Sequence, residues 1–104
     1  MIVEFKTDYL AGLYETPLDE IRGKQPFGRD IIKQYKKKVQ ILVSITRIEQ
    51  LKQFRGLYFE YLKGDMKNVC SIRLNDQYRL LFEIKSNGEI EIILINEISK
   101  HYEN

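Results

Sequence analysis

The spacing of apolar positions changes along this chain of 104 residues. Ile2 to Phe5 alternate apolar and polar side chains, which is the period of a short strand. In the turn-rich stretch that follows, Asp8-Tyr9-Leu10 opens a brief helix that Pro17 interrupts, because proline has no amide proton to continue the ladder. Between Asp30 and Ile45, the residues Ile32, Tyr35, Val39, Leu42 and Val43 recur at helical spacing and form one stripe of a helix of three to four turns. Lys33, Lys36, Lys37 and Lys38 fall mostly off that stripe and are expected to face solvent or a ligand. Thr46-Arg47-Ile48-Glu49 fits a capping box, with Thr46 and Glu49 satisfying the free amides of a second, short helix that ends near Gly56.

Beyond Gly64 the period becomes that of strands. Val69 to Leu74, Tyr78 to Lys85 and Glu89 to Ile95 are rich in β-branched and aromatic residues, and only Asn75-Asp76-Gln77 and Ser86-Asn87-Gly88 separate them. Two short connections in a row predict an antiparallel meander. Tyr78, Leu80, Leu81 and Phe82 are apolar on both faces, as in a central strand covered on both sides at least in part. The order of elements predicts a compact α+β fold, a single domain over residues 1–104: an N-terminal strand and helices packed on a three-stranded antiparallel meander, with a short polar tail.

Composition narrows this picture. At 43% apolar residues, with no low-complexity tract, the chain is expected to fold throughout. The N-terminus lacks the pattern of a signal peptide and no apolar run reaches membrane-spanning length, so a cytoplasmic protein with no membrane partner is expected. Cys70 is the single cysteine and His101 the single histidine, too few ligands for a Cys/His metal cage and too few thiols for an intrachain disulfide. Neither metal nor cofactor is expected.

The net charge of +2 conceals a segregation. Residues 31–85 carry twelve Lys/Arg against five Asp/Glu, whereas residues 1–30 carry four against six and residues 86–104 one against four. A basic middle suits a polyanion, and it equally suits a solvated lysine-rich helix.

Chemistry concentrates near the second half of the chain. If Asn75 to Gln77 form a three-residue hairpin loop, Leu74 pairs with Tyr78 and Arg73 lies across from Arg79. Like charges opposite one another need an offset, either a carboxylate such as Asp76 or Glu83 or an anionic ligand. Phosphate fits, because guanidinium binds it in bidentate fashion and stays charged at neutral pH. His101 is flanked by Lys100 and Tyr102, a trio capable of proton transfer, although a lone histidine near a chain end is also commonly inert. Lys63-Gly64-Asp65-Met66-Lys67 forms a basic glycine-containing loop, suited to a phosphate backbone or to an ordinary turn. Tyr58, Phe59 and Tyr61 are aromatic enough to stack on bases or to serve the core. Cys70 sits in an apolar strand with no basic neighbour in sequence, and no serine has a nucleophile-elbow context, so covalent acyl chemistry is not expected.

The run Leu62-Lys63-Gly64-Asp65-Met66-Lys67, then Ser71-Ile72-Arg73-Leu74-Asn75, then Tyr78-Arg79-Leu80-Leu81-Phe82, resembles the core signature of HigB-type toxins in the RelE superfamily. The ending Ser99-Lys100-His101-Tyr102 resembles their C-terminal motif, and the likeness spans roughly residues 30 to 104. The resemblance implies a type II toxin: a ribosome-dependent mRNA endonuclease that uses the ribose 2′-hydroxyl as nucleophile and needs no metal. It assigns Arg73 and Arg79 to the phosphate and Lys100, His101 and Tyr102 to proton transfer, with Tyr102 positioning or stacking against a base, and Lys63, Lys67 and Asn75 as RNA contacts. Its partners would be mRNA, the ribosome and a cognate antitoxin, commonly a HigA-like helix-turn-helix protein. RelE proper tends to have a further basic residue where this chain has Ser71, which implies that fewer cations share the phosphate. Two other readings share the fold: a ParE-like inhibitor of DNA gyrase with no RNase activity, and a non-catalytic nucleic-acid-binding module.

Overall fold

In chain order the elements are β1 (Ile2–Phe5), α1 (Asp8–Glu15), α2 (Arg29–Ser44), β2 (Glu60–Tyr61), β3 (Val69–Arg73), β4 (Tyr78–Asn87) and β5 (Ile90–Lys100). Short 3-10 turns lie at Leu18–Glu20, Ile48–Gln53 and Arg55–Leu57. This is a computed structural model, and it describes residues 1–64 and 68–100.

The predicted meander of β3, β4 and β5 is present, but it is the middle of a larger sheet. The order is β1-β5-β4-β3-β2, with β1 parallel to β5 and every other pair antiparallel. The N-terminal strand is therefore part of the sheet instead of packing on it. Alternation along β1 fixes which side chains face the core; it carries no information about a partner some ninety residues away.

One face of the sheet carries the helices. Thr7 starts α1 by accepting the Leu10 amide at 3.2 Å. On α2, Ile31, Ile32, Tyr35, Val39 and Leu42 are buried, while Val43 is exposed, so the apolar stripe is rotated toward Ile31 relative to the expectation. The buried Tyr35 hydroxyl donates to the Leu10 carbonyl at 2.7 Å and locks α1 onto α2. Beneath the helices lie Cys70 and Ile72 of β3, Leu80 and Phe82 of β4, and Ile93, Ile95 and Ile98 of β5. Leu81, on the opposite face of β4, is also buried, in keeping with a central strand.

Two local expectations are corrected. The turn after α2 is stapled by Gln50, not Glu49: the Gln50 side-chain oxygen accepts the amides of Thr46 at 2.7 Å and Arg47 at 3.2 Å. The helix expected there is a 3-10 turn. The last strand runs five residues beyond Ile95, because a bulge opposite Leu81 and Phe82 inserts Asn96 and shifts the alternation.

Candidate functional site

Cross-strand register defines the second face of the sheet row by row. Directly opposed residues share a face, and so do residues two apart on one strand. Arg73 faces Arg79, and Arg79 faces Ser99, which makes one row across β3, β4 and β5. The next row holds Glu60, Ser71, Leu81 and Glu97, and the one after it Val69, Glu83, Leu94 and Glu4. This face is basic at the Arg73 and Arg79 end and acidic beyond it.

The hairpin that sets Arg73 against Arg79 is built as the sequence predicts. The Leu74 amide donates to the Tyr78 carbonyl at 2.9 Å, closing a loop of three residues. The Asn75 side-chain oxygen accepts the amides of Gln77 and Tyr78, both at 2.8 Å, so this asparagine holds the turn from within. Its oxygen is thereby engaged, and among the described residues its amide nitrogen has no protein acceptor.

The two arginines are offset unequally. Arg73 forms an ion pair with Asp76 of the same loop, and its guanidinium lies over the Tyr58 ring, 5.5 Å from the centroid. Arg79 donates to the Tyr58 carbonyl at 3.2 Å and, among the described residues, has no carboxylate partner. Arg73 is thus paired with an acid, one of the two offsets the sequence raised, while Arg79 presents a charge not neutralised by any described carboxylate. Lys38 of α2 donates to the Gln34 side chain at 3.0 Å. Burial first, then the charges of Lys37 and Arg73, hold its pKa below the usual lysine value.

Of the remaining candidates, Lys100 and Lys63 are placed apart from the arginine row. Lys100 is opposite Tyr78 and shares the face of Tyr78, whose ring packs edge-on against Phe27 on the helix side, whereas Ser99 is the residue beside Arg79. Lys63 is exposed and follows β2 at the end of the hairpin remote from Arg73. Lys67, His101 and Tyr102 lie outside the described residues. Of the lysines expected to face solvent or ligand, Lys36 instead donates to the carbonyls of Leu13, Tyr14 and Thr16 at 3.2, 2.7 and 2.5 Å.

Tyr58 is the residue that sequence reasoning underweighted. It was one aromatic among three, yet Phe59 packs against Phe82 while Tyr58 stands exposed beside both arginines. Its backbone is left-handed, at φ 47° and ψ 50°, and nothing in the sequence around it signals that conformation. Cys70 is fully buried, which pushes its thiol up to about 11 and removes it from nucleophilic chemistry near neutrality.

Comparison with known proteins adds to this geometry. Residues 3–97 match the model of a family described as RelE-like toxin of type II toxin-antitoxin system HigB. Toxin HigB-1 of Vibrio cholerae serotype O1 is 36% identical over 83 residues, covering 80% of this chain and 83% of that protein. The solved structure of a YoeB/ParE toxin from Agrobacterium tumefaciens shares the fold at a TM-score of 0.56 and 17% identity, over 98% of this chain and all of that one.

Proposed function

Because the chain belongs to the HigB family of RelE-like toxins, the toxin component of a type II toxin-antitoxin system that implies an antitoxin partner, we propose that it is a metal-independent endoribonuclease that cuts mRNA on the ribosome. The observation that carries the reading is the arginine row: Arg79 lies directly across from Arg73 and has no carboxylate partner among the described residues. Asp76 already offsets Arg73, and a phosphate against Arg79 would offset the charge that is left.

The reaction proposed is the one that the family resemblance implies. The ribose 2′-hydroxyl attacks the adjacent phosphorus, its proton passes to a base, and the bond from phosphorus to the 5′-oxygen breaks as that oxygen receives a proton. The products are a 2′,3′-cyclic phosphate and a 5′-hydroxyl. The substrate supplies the nucleophile, so the protein has to hold the phosphate, stabilise the charge that grows on the phosphorane oxygens, and move two protons. Arg79 and Arg73 take the first two tasks. His101 acts as base or acid, with Lys100 and Tyr102 as the other proton-transfer candidates and Tyr102 positioning or stacking against a base, and Lys63, Lys67 and the amide of Asn75 contact the RNA. The antitoxin is taken to be a HigA-like helix-turn-helix protein, and the site of action to be the cytoplasm.

The test is cleavage of mRNA in a purified translation system, with 5′ ends mapped for wild type and Arg79→Ala. Cuts within ribosome-bound codons, reduced about 100-fold or more in the variant, are expected from loss of one charge-stabilising donor. Intact mRNA at high toxin concentration overturns the reading, and inhibition of DNA gyrase by the same preparation would replace it with a ParE-like one.

A further inference from the structure

Tyr58 occupies a conformation that an ordinary side chain adopts at a cost. At φ 47° and ψ 50° it is left-handed, the region that glycine and asparagine enter most readily. Gly56 lies two residues earlier and is not the residue placed there. The neighbours explain the direction in which Tyr58 points: Leu57 is buried, Phe59 is anchored against Phe82, and Tyr58 between them is turned outward with 58% of its surface exposed. A strained and exposed aromatic gains little stability from burial. Such outliers persist where the surrounding structure holds them, and they cluster at functional sites.

Its surroundings identify the task. One ring face meets the Arg73 guanidinium, and the Tyr58 carbonyl receives a hydrogen bond from Arg79, so one residue touches both cations of the row. We propose that Tyr58 is a nucleobase-stacking residue, its exposed ring receiving a base next to the phosphate held by Arg73 and Arg79. The proposal rests on the RNA-cleaving reading of the same site and adds the contact that holds the base. Every base has a π-face, so the contact contributes affinity with little sequence preference. The phenol hydroxyl has no part in it.

The substitutions that test it exploit the backbone. Tyr58→Gly and Tyr58→Asn remove the ring at a position whose conformation both residues accept, and Tyr58→Phe keeps the ring alone. In the purified translation system, Tyr58→Phe is expected to cleave as wild type does. Tyr58→Gly and Tyr58→Asn are expected to raise KM for the ribosome-bound message about tenfold with little change in kcat, while melting at or above the wild-type temperature. A message blocked by a 2′-deoxy substitution at the mapped cut, with 2-aminopurine in that codon, gives a second readout. Stacking on Tyr58 quenches its fluorescence with wild type and Tyr58→Phe, and the quenching is lost with the other two. If wild type cleaves and Tyr58→Gly or Tyr58→Asn matches it in KM and quenching, the stacking role is overturned while the endonuclease reading stands. If wild type cleaves nothing, both fall together.

Discussion

Two side chains show how single residues set the limits of this molecule. Cys70 has its thiol within the core and its pKa pushed up to about 11 by burial, from an ordinary value of 9.0. A thiol whose folded-state pKa is raised binds its proton more tightly when folded than when unfolded. Its contribution to stability is therefore complete below about pH 9 and is lost as the pH rises from 9 toward 11. Burial also raises the pKa of Tyr35, which accepts no charge in the core, so the decline continues in the same direction above pH 10. Urea midpoints are expected to be level in this respect up to pH 9 and to fall beyond it, with a smaller fall in Cys70→Ala. Alkylation of native Cys70 at pH 8 is expected to proceed only as fast as the protein opens. Asn75 acts at the same scale. Its side-chain oxygen holds two turn amides, so Asn75→Ala is expected to cost about 1 kcal/mol, whereas Asn75→Asp keeps the acceptor and most of that stability. Chemical denaturation of the two variants checks this, and similar losses in both would show that the side-chain oxygen does not hold the turn.

At the level of elements, α1 is stabilised by a residue outside it. The last carbonyls of a helix have no partners of their own, and Lys36 of α2 reaches those of Leu13 and Tyr14, together with Thr16 just beyond. Lys36→Met keeps the stem and removes the ammonium, leaving those carbonyls without their donor. A loss of about 1.5–3 kcal/mol is expected, the range for hydrogen bonds to a charged group, and faster amide exchange confined first to α1 would locate it. Lys36 was expected to face solvent or a ligand because helical periodicity describes only the face a helix buries, and a capping contact between helices leaves no periodic trace. The same limit explains β5. Ile93 and Ile95 alternate and Ile98 follows at a spacing of three, because the bulge at Asn96 adds a residue; a period of two therefore stops at Ile95 although the strand runs to Lys100. By contrast, the pairing of Arg73 with Arg79 was legible, since a three-residue loop fixes register by counting alone. Tyr58 was not, because its role comes from a left-handed backbone in an irregular segment.

Across the whole molecule, the topology separates a firm part of the site from a soft one. Arg79 is on β4, with paired strands on both sides, and Leu80 and Phe82 of the same strand are fully buried. Tyr58 is in the segment between the 3-10 turn Arg55–Leu57 and the two-residue edge strand β2, where few backbone hydrogen bonds are ladder bonds. One edge of the sheet is β1, whose Val3 and Phe5 pack against the core and whose parallel pairing joins the beginning of the chain to β5. That long-range pairing ties β1, β5 and β4 into one cooperative unit, and contacts so distant in sequence slow folding. Phe5→Ala, which removes a half-buried ring stacked 5.7 Å from Tyr14, is expected to cost about 2 kcal/mol. In native-state hydrogen exchange, that loss should appear in full at the β4 amides flanking Arg79, far along the sheet, because they open only when the whole unit does. The Tyr58 and Phe59 amides should exchange through local opening and change little. If β4 exchange were unaffected by Phe5→Ala, β1 would be a dispensable edge, and the rigidity of the arginine row would have to come from the β3–β4 hairpin alone.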